Sequence, residues 1–116
     1  MGMRYLLFIC SEGEAFAATP EELDPTDWVD EMTRRGVRSF GDRLAPTDRA
    51  TTVRLRDGDV LLTDGPFVET KEQIVGFDVI ECADLDEALE VAAKHPVARF
   101  GMIEVRPFWT PSPTPS

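Results

Sequence analysis

Asp64-Gly65-Pro66-Phe67, followed by Thr70, Lys71 and Gln73, is the stretch of this chain best equipped for chemistry. A carboxylate at a strand end serves as a general base when burial raises its pKa, which makes Asp64 the candidate proton acceptor or ligand anchor. Lys71 would be its charge partner, Thr70 and Gln73 would donate hydrogen bonds, and Phe67 would line the pocket. Turn chemistry alone also accounts for much of the stretch, since Asp caps a turn, Gly relieves the backbone and Pro fixes φ. Asp64, Glu69 and Glu72 fall within nine residues. Nothing in that spacing makes their oxygens converge as Ca²⁺ or Mg²⁺ requires, so no metal is expected.

The second candidate is a run of arginines. Residues 34–56 hold seven Arg against Asp42 and Asp48, in a chain whose net charge is −10. Arg suits carboxylates and phosphates, and Arg43 and Arg54 are the expected anion-binding residues. Pairing with the chain's own acids is the competing reading. His95, the one histidine, falls at the end of a helical stretch, where a cation complements the dipole. Cys10 and Cys82 are isolated, with no CxxC and no Cys/His cluster. GxSxG, P-loop and dinucleotide glycine patterns are absent, so no cofactor is expected.

These residues must be positioned by a small set of elements. Residues 4–10 (RYLLFIC) and 74–82 read as strands apolar on both faces. Asp24-Pro25 opens a helix carrying Trp28, Val29 and Met32, with Gly36 as its stop and a possible earlier turn at Thr19-Pro20-Glu21-Glu22. Residues 37–44 form a weak strand. Asp57-Gly58 joins 51–56 to 60–63 as a hairpin. Thr70 to Gln73 has capping-box spacing and predicts one helical turn. Asp84 caps a second helix that Pro96 ends, residues 100–106 form the last strand, and a proline-rich tail follows that should be disordered. The order β-α-β-(hairpin)-β-α-β predicts an α+β ferredoxin-like sandwich with an inserted β-hairpin. Two helices cover one face of such a sheet. The other apolar face predicts a sheet-to-sheet homodimer.

The 116 residues allow one domain, placed at 1–108, with a tail at 109–116. The acidity argues against nucleic acid and anionic membrane as partners. The N-terminal residues lack a secretory pattern, and the longest uncharged run there is far short of a membrane span, which predicts a cytoplasmic protein with reduced thiols.

Thr63-Asp64-Gly65-Pro66-Phe67, Glu69-Thr70-Lys71-Glu72-Gln73 and Gly76-Phe77 resemble the signature of the YCII-related family, in its DGPF subgroup. Ala50-Thr51-Thr52-Val53-Arg54, Asp84-Leu85-Asp86-Glu87-Ala88 and Glu104-Val105-Arg106-Pro107 extend the resemblance. It implies the dimeric α/β barrel form of the ferredoxin-like fold. It also implies either a small polar or anionic metabolite as ligand, with cofactor-independent isomerase or lyase chemistry as one outcome, or an accessory regulatory protein contacting transcription machinery beside a sigma factor. Relatives in the YCII branch proper place a histidine on the first helix, proposed to act with an aspartate. Residues 20–36 contain none.

Overall fold

The computed structural model describes residues 2–12, 18–66 and 72–110. The elements follow in the order β1 (Met3–Glu12), α1 (Pro20–Leu23), α2 (Thr26–Arg34), β2 (Arg38–Arg43), β3 (Thr51–Arg56), β4 (Asp59–Asp64), β5 (Glu72–Cys82), α3 (Leu85–Ala93) and β6 (Met102–Pro107). Single 3₁₀ turns occupy Thr47–Arg49 and Pro96–Arg99. The main sheet has the order β2-β5-β1-β6 and every pairing in it is antiparallel. With β3 and β4 set aside as a separate two-stranded ribbon, this is the ferredoxin-like α+β arrangement.

Local chemistry explains the helix ends. The Glu22 N–H donates to Thr19 Oγ1 (3.2 Å), and the Thr19 N–H donates back to Glu22 Oε1 (2.9 Å). Asp24 then accepts from both the N–H and the hydroxyl of Thr26, at 3.0 and 2.6 Å. The helical segment is thus broken at Asp24-Pro25 into two capped pieces, because proline cannot continue the hydrogen-bond ladder. Gly36 closes α2 at φ +71°. The Gly36 N–H reaches the Thr33 carbonyl and the Val37 N–H reaches that of Met32, while Val37 and Met32 are both buried. That is a Schellman ending, which requires a left-handed residue that only glycine supplies cheaply. At α3, Asp84 accepts from the Glu87 N–H at 2.9 Å.

Register assigns the two faces of the sheet. Tyr5 pairs with Ile80, and Leu7 with Asp78. Tyr5, Leu7, Ile9, Ile80 and Cys82 face α2 and α3 and form the core with Trp28, Met32, Ala88 and Val91, and Asp78 is buried on the same side of the sheet. Leu6 pairs with Val79, Phe8 with Phe77, and Phe40 with Val79. This second face is the one that no described helix covers. Phe40 stacks edge-on against Phe77 there, at 5.7 Å between centroids. Cys10 lies opposite Ile74 and Cys82 opposite Met3, so the thiols sit at opposite ends of the β1·β5 ladder and both are free.

Two expectations need correction. Glu72 and Gln73 are the first residues of β5, not a helical turn: they pair with Glu12 and Ser11. Strand pairing overrides a local capping pattern when a partner strand offers a ladder. His95 is not a cation complementing the helix dipole. It is buried, packs edge-on against Trp28 at 4.7 Å, and its Nδ1 accepts from the Val97 N–H at 3.1 Å. Burial, with the nearby Arg38 charge second, pulls its pKa down to about 4, so it is neutral.

Candidate functional site

A concave surface lies at one end of the sheet. Ser11 near the end of β1, Gln73, Ile74 and Val75 near the start of β5, and Arg43 at the end of β2 meet there. The Leu44 N–H still bonds the Val75 carbonyl (2.9 Å), which turns residues 44–47 outward. Pro46 and the 3₁₀ turn after it swing Thr47 and Arg49 over the opening, and Leu23 of α1 closes a side. The result is a cleft of about 630 Å³, large enough for a small metabolite.

The lining has two chemistries. Leu23, Leu44, Ala45, Pro46, Ile74 and Val75 make an apolar wall. Arg43, Arg49, Gln73 and Ser11 supply the polar groups. Ser11 is buried, and its hydroxyl lies 3.5 Å from the Gln73 carbonyl, which ties the two strand ends together. Of the seven arginines between 34 and 56, Arg35 and Arg38 are held in ion pairs among the described residues. Arg35 meets Glu31, Glu87 and Glu90, and Arg38 meets Asp78. Arg43 and Arg49 make no ion pair with a described residue and are exposed at the mouth of the cleft.

The structure therefore brings together Arg43 and Gln73 from the expected site residues, and adds Arg49 and Ser11. Arg49 carries a sequence signal, since it belongs to the arginine-rich segment. Ser11 carries none, because it reaches the cleft only through the β1·β5 register. Asp64 and Arg54 do not line this cleft. Asp64 is exposed at the end of β4, opposite Thr51. Beyond it Gly65, at φ +96°, donates to the Ala50 carbonyl and accepts from the Thr52 hydroxyl. Those bonds lock the base of the ribbon. Phe67, Thr70 and Lys71 lie outside the described residues. Burial pushes both thiols up, that of Cys82 to about 11, which leaves neither poised as a nucleophile. Among the described residues no three His, Cys, Asp or Glu side chains are grouped to hold a metal ion. No described helix is long and apolar enough to cross a membrane.

A ferredoxin-like sheet with an inserted ribbon and an arginine-rimmed cleft at one end defines the class of domain. The model of the YCII-related domain matches residues 3–110, and the chain belongs to that family. It is also similar to an uncharacterized protein of Rhizobium meliloti (strain 1021), at 47% identity over 78 residues. That match covers 64% of this chain and 63% of the relative, so the chain spans less than two thirds of that protein's length.

Proposed function

We propose that the domain binds a small anionic metabolite with an apolar body in the cleft between β1, β5 and the 44–49 loop. The observation that carries this reading is the pair Arg43 and Arg49. Both guanidiniums stand at the rim of a mostly apolar cleft without a carboxylate of their own among the described residues, while neighbouring Arg35 and Arg38 are paired. A planar fork of donors fits a carboxylate or phosphate. Gln73 would add a neutral hydrogen bond, and the leucine, isoleucine and valine wall would take the rest of the ligand.

The test is a calorimetric titration with succinate, phenylacetate and phenyl phosphate. Arg43→Ala and Arg49→Ala should each weaken the tightest binder by about tenfold or more, since charge-assisted hydrogen bonds are worth roughly 1.5–3 kcal/mol. Arg34→Ala, on the far end of α2, should leave it unchanged. Equal losses in all three variants, or no binding of any of the three anions, would end this reading. Asp64→Asn in the same titration decides whether the DGPF turn joins the site: a loss of affinity brings it in.

Within the family the motif from Asp64 to Phe67 supports placement in the DGPF subgroup. The two free cysteines support a reducing, cytoplasmic setting. The working unit is read as two chains packed sheet to sheet. The support is the uncovered face, where Leu6, Phe8, Phe40 and Phe77 remain open to solvent in part or in full.

A further inference from the structure

The β3–β4 ribbon is amphipathic and its apolar face is uncovered among the described residues. In its register Val53 faces Leu62 and Leu55 faces Val60, which puts all four on one side. Each is between 62% and 66% exposed. The opposite side carries Thr52, Thr63, Arg54, Leu61, Arg56 and Asp59. The turn between the strands has both residues at positive φ, Asp57 at 53° and Gly58 at 82°, the type I′ geometry of a tight hairpin. So the ribbon is well formed, yet no other described element packs on it to any extent. A lone two-stranded hairpin is marginal in water, and one with an exposed aliphatic face invites association.

We propose that this ribbon is an intermolecular clasp: its Val53, Leu55, Val60 and Leu62 face lies against the uncovered sheet face of a second copy of the chain. The proposal rests on the sheet-to-sheet reading and assigns the ribbon its role in it. Two arguments select a second copy as the occupant. The first is area. Two strands about 35 Å long and two about 20 Å long, about 4.8 Å apart, give the uncovered face a footprint of roughly 500 Å². A stable interface takes about 800 Å² from each partner, so the sheet face alone is small and a ribbon laid across from each side makes up area. The second is charge. The uncovered face carries Arg4 and Arg106 together with Asp42, Glu81 and Glu104. A surface of mixed sign meets its own copy without net repulsion, whereas a single-sign surface would repel it.

The experiment has two parts. Sedimentation velocity gives the mass of the wild type and of Val53→Asp/Leu62→Asp. Both side chains are already exposed in the single chain, so the variant should fold with an unchanged circular dichroism spectrum. Its dimer dissociation constant should rise about a hundredfold or more, because two carboxylates would have to be buried in an apolar contact. Thr63→Asp, on the polar side of the ribbon, should change it little. An isotope-filtered NOE measurement on an equal mixture of methyl-labelled and unlabelled chains should then show contacts between chains, from the Val53, Leu55, Val60 and Leu62 methyls to the rings of Phe8, Phe40 or Phe77. A wild-type dimer that the double variant leaves intact overturns the clasp and keeps the sheet-to-sheet reading. A monomeric wild type overturns both. Methyl contacts found only within one chain overturn the clasp in favour of a cover from the same chain.

Discussion

Replacing Arg38 with Met should destabilise the domain by about 3 kcal/mol at pH 7, the low end of what breaking a buried ion pair costs. Arg38 Nε meets Asp78 Oδ1 at 2.8 Å, and the two side chains are only 17% and 8% exposed. Asp78 has been taken out of water on the helix side of the sheet. Desolvation raises its pKa, and the Arg38 hydrogen bond and charge offset this only in part. Gly41, across the ladder from Asp78, leaves the space: a Cβ there would collide with the Asp78 carboxylate and the Phe77 carbonyl. With Arg38 gone, the carboxylate stays buried beside that glycine with no cation.

The signature is as informative as the size. Asp78→Asn in the Arg38→Met background should recover most of the loss, because it removes the charge and keeps the shape. The penalty of Arg38→Met should also shrink as pH falls, since protonating Asp78 neutralises the orphaned group. Urea unfolding of the three proteins at pH 7 and pH 5 measures both effects. A double variant no more stable than Arg38→Met would show that the charge is not the source of the loss. Arg35 makes a useful contrast. It contacts three glutamates, and Lys94 bridges Glu31 and Glu90 beside it, so it looks the more important arginine by number of partners. These groups lie at the surface, where water screens them and such pairs contribute up to about 1 kcal/mol, so Arg35→Ala should be the milder change.

How much of this was legible in the sequence depends on whether the information is local. Gly36, Asp57-Gly58 and Asp84 each specify a turn or a cap through their own backbone chemistry, and each does in the structure what its type implies. The long apolar strands announce their helix-covered face in the same way; on the other face Leu6, Phe8 and Phe77 are only partly buried within the single chain. Gln73 misleads because its local spacing mimics a cap, while a strand sixty-two residues earlier in the chain offers it a ladder. The Arg38–Asp78 pair spans forty residues and exists only because β2 and β5 are neighbours. The cleft has the same origin. Arg43, Gln73 and Ser11 come from three strands, and only the order β2-β5-β1 brings their ends together. Arginine enrichment flags the segment; which of its arginines find acids is decided by the fold.

Acidification should destabilise the folded chain through His95, by about 3 kcal/mol in total as pH falls from 6.5 to about 4. The folded-state pKa is pulled from 6.5 down to about 4, while the unfolded chain keeps the ordinary value. Between those values the unfolded state binds the extra proton, and each tenfold difference in proton affinity is worth about 1.4 kcal/mol. Stability is therefore fully present above about pH 6.5 and is lost as pH falls toward 4. Protonation would put a cation in a site bounded by the Trp28 ring and the Arg38 charge. It would also take the Nδ1 lone pair from the Val97 N–H. Asp78 acts in the opposite direction, because its raised pKa lets the folded state take up a proton more readily on acidification. Glu90, held down to about 2 by Arg35 and Lys94, loses its contribution mostly below the His95 window, as pH falls from about 4.5 toward 2. His95→Asn separates these effects. Its side-chain oxygen can still accept from the Val97 N–H, but nothing at the position titrates. The variant should be less stable at pH 7, having lost the ring contact with Trp28, and its stability should no longer fall between pH 6.5 and 4 as the wild type's does. Chemical denaturation at closely spaced pH values reads the slope directly. A variant that keeps the wild-type slope would show that another group carries the proton.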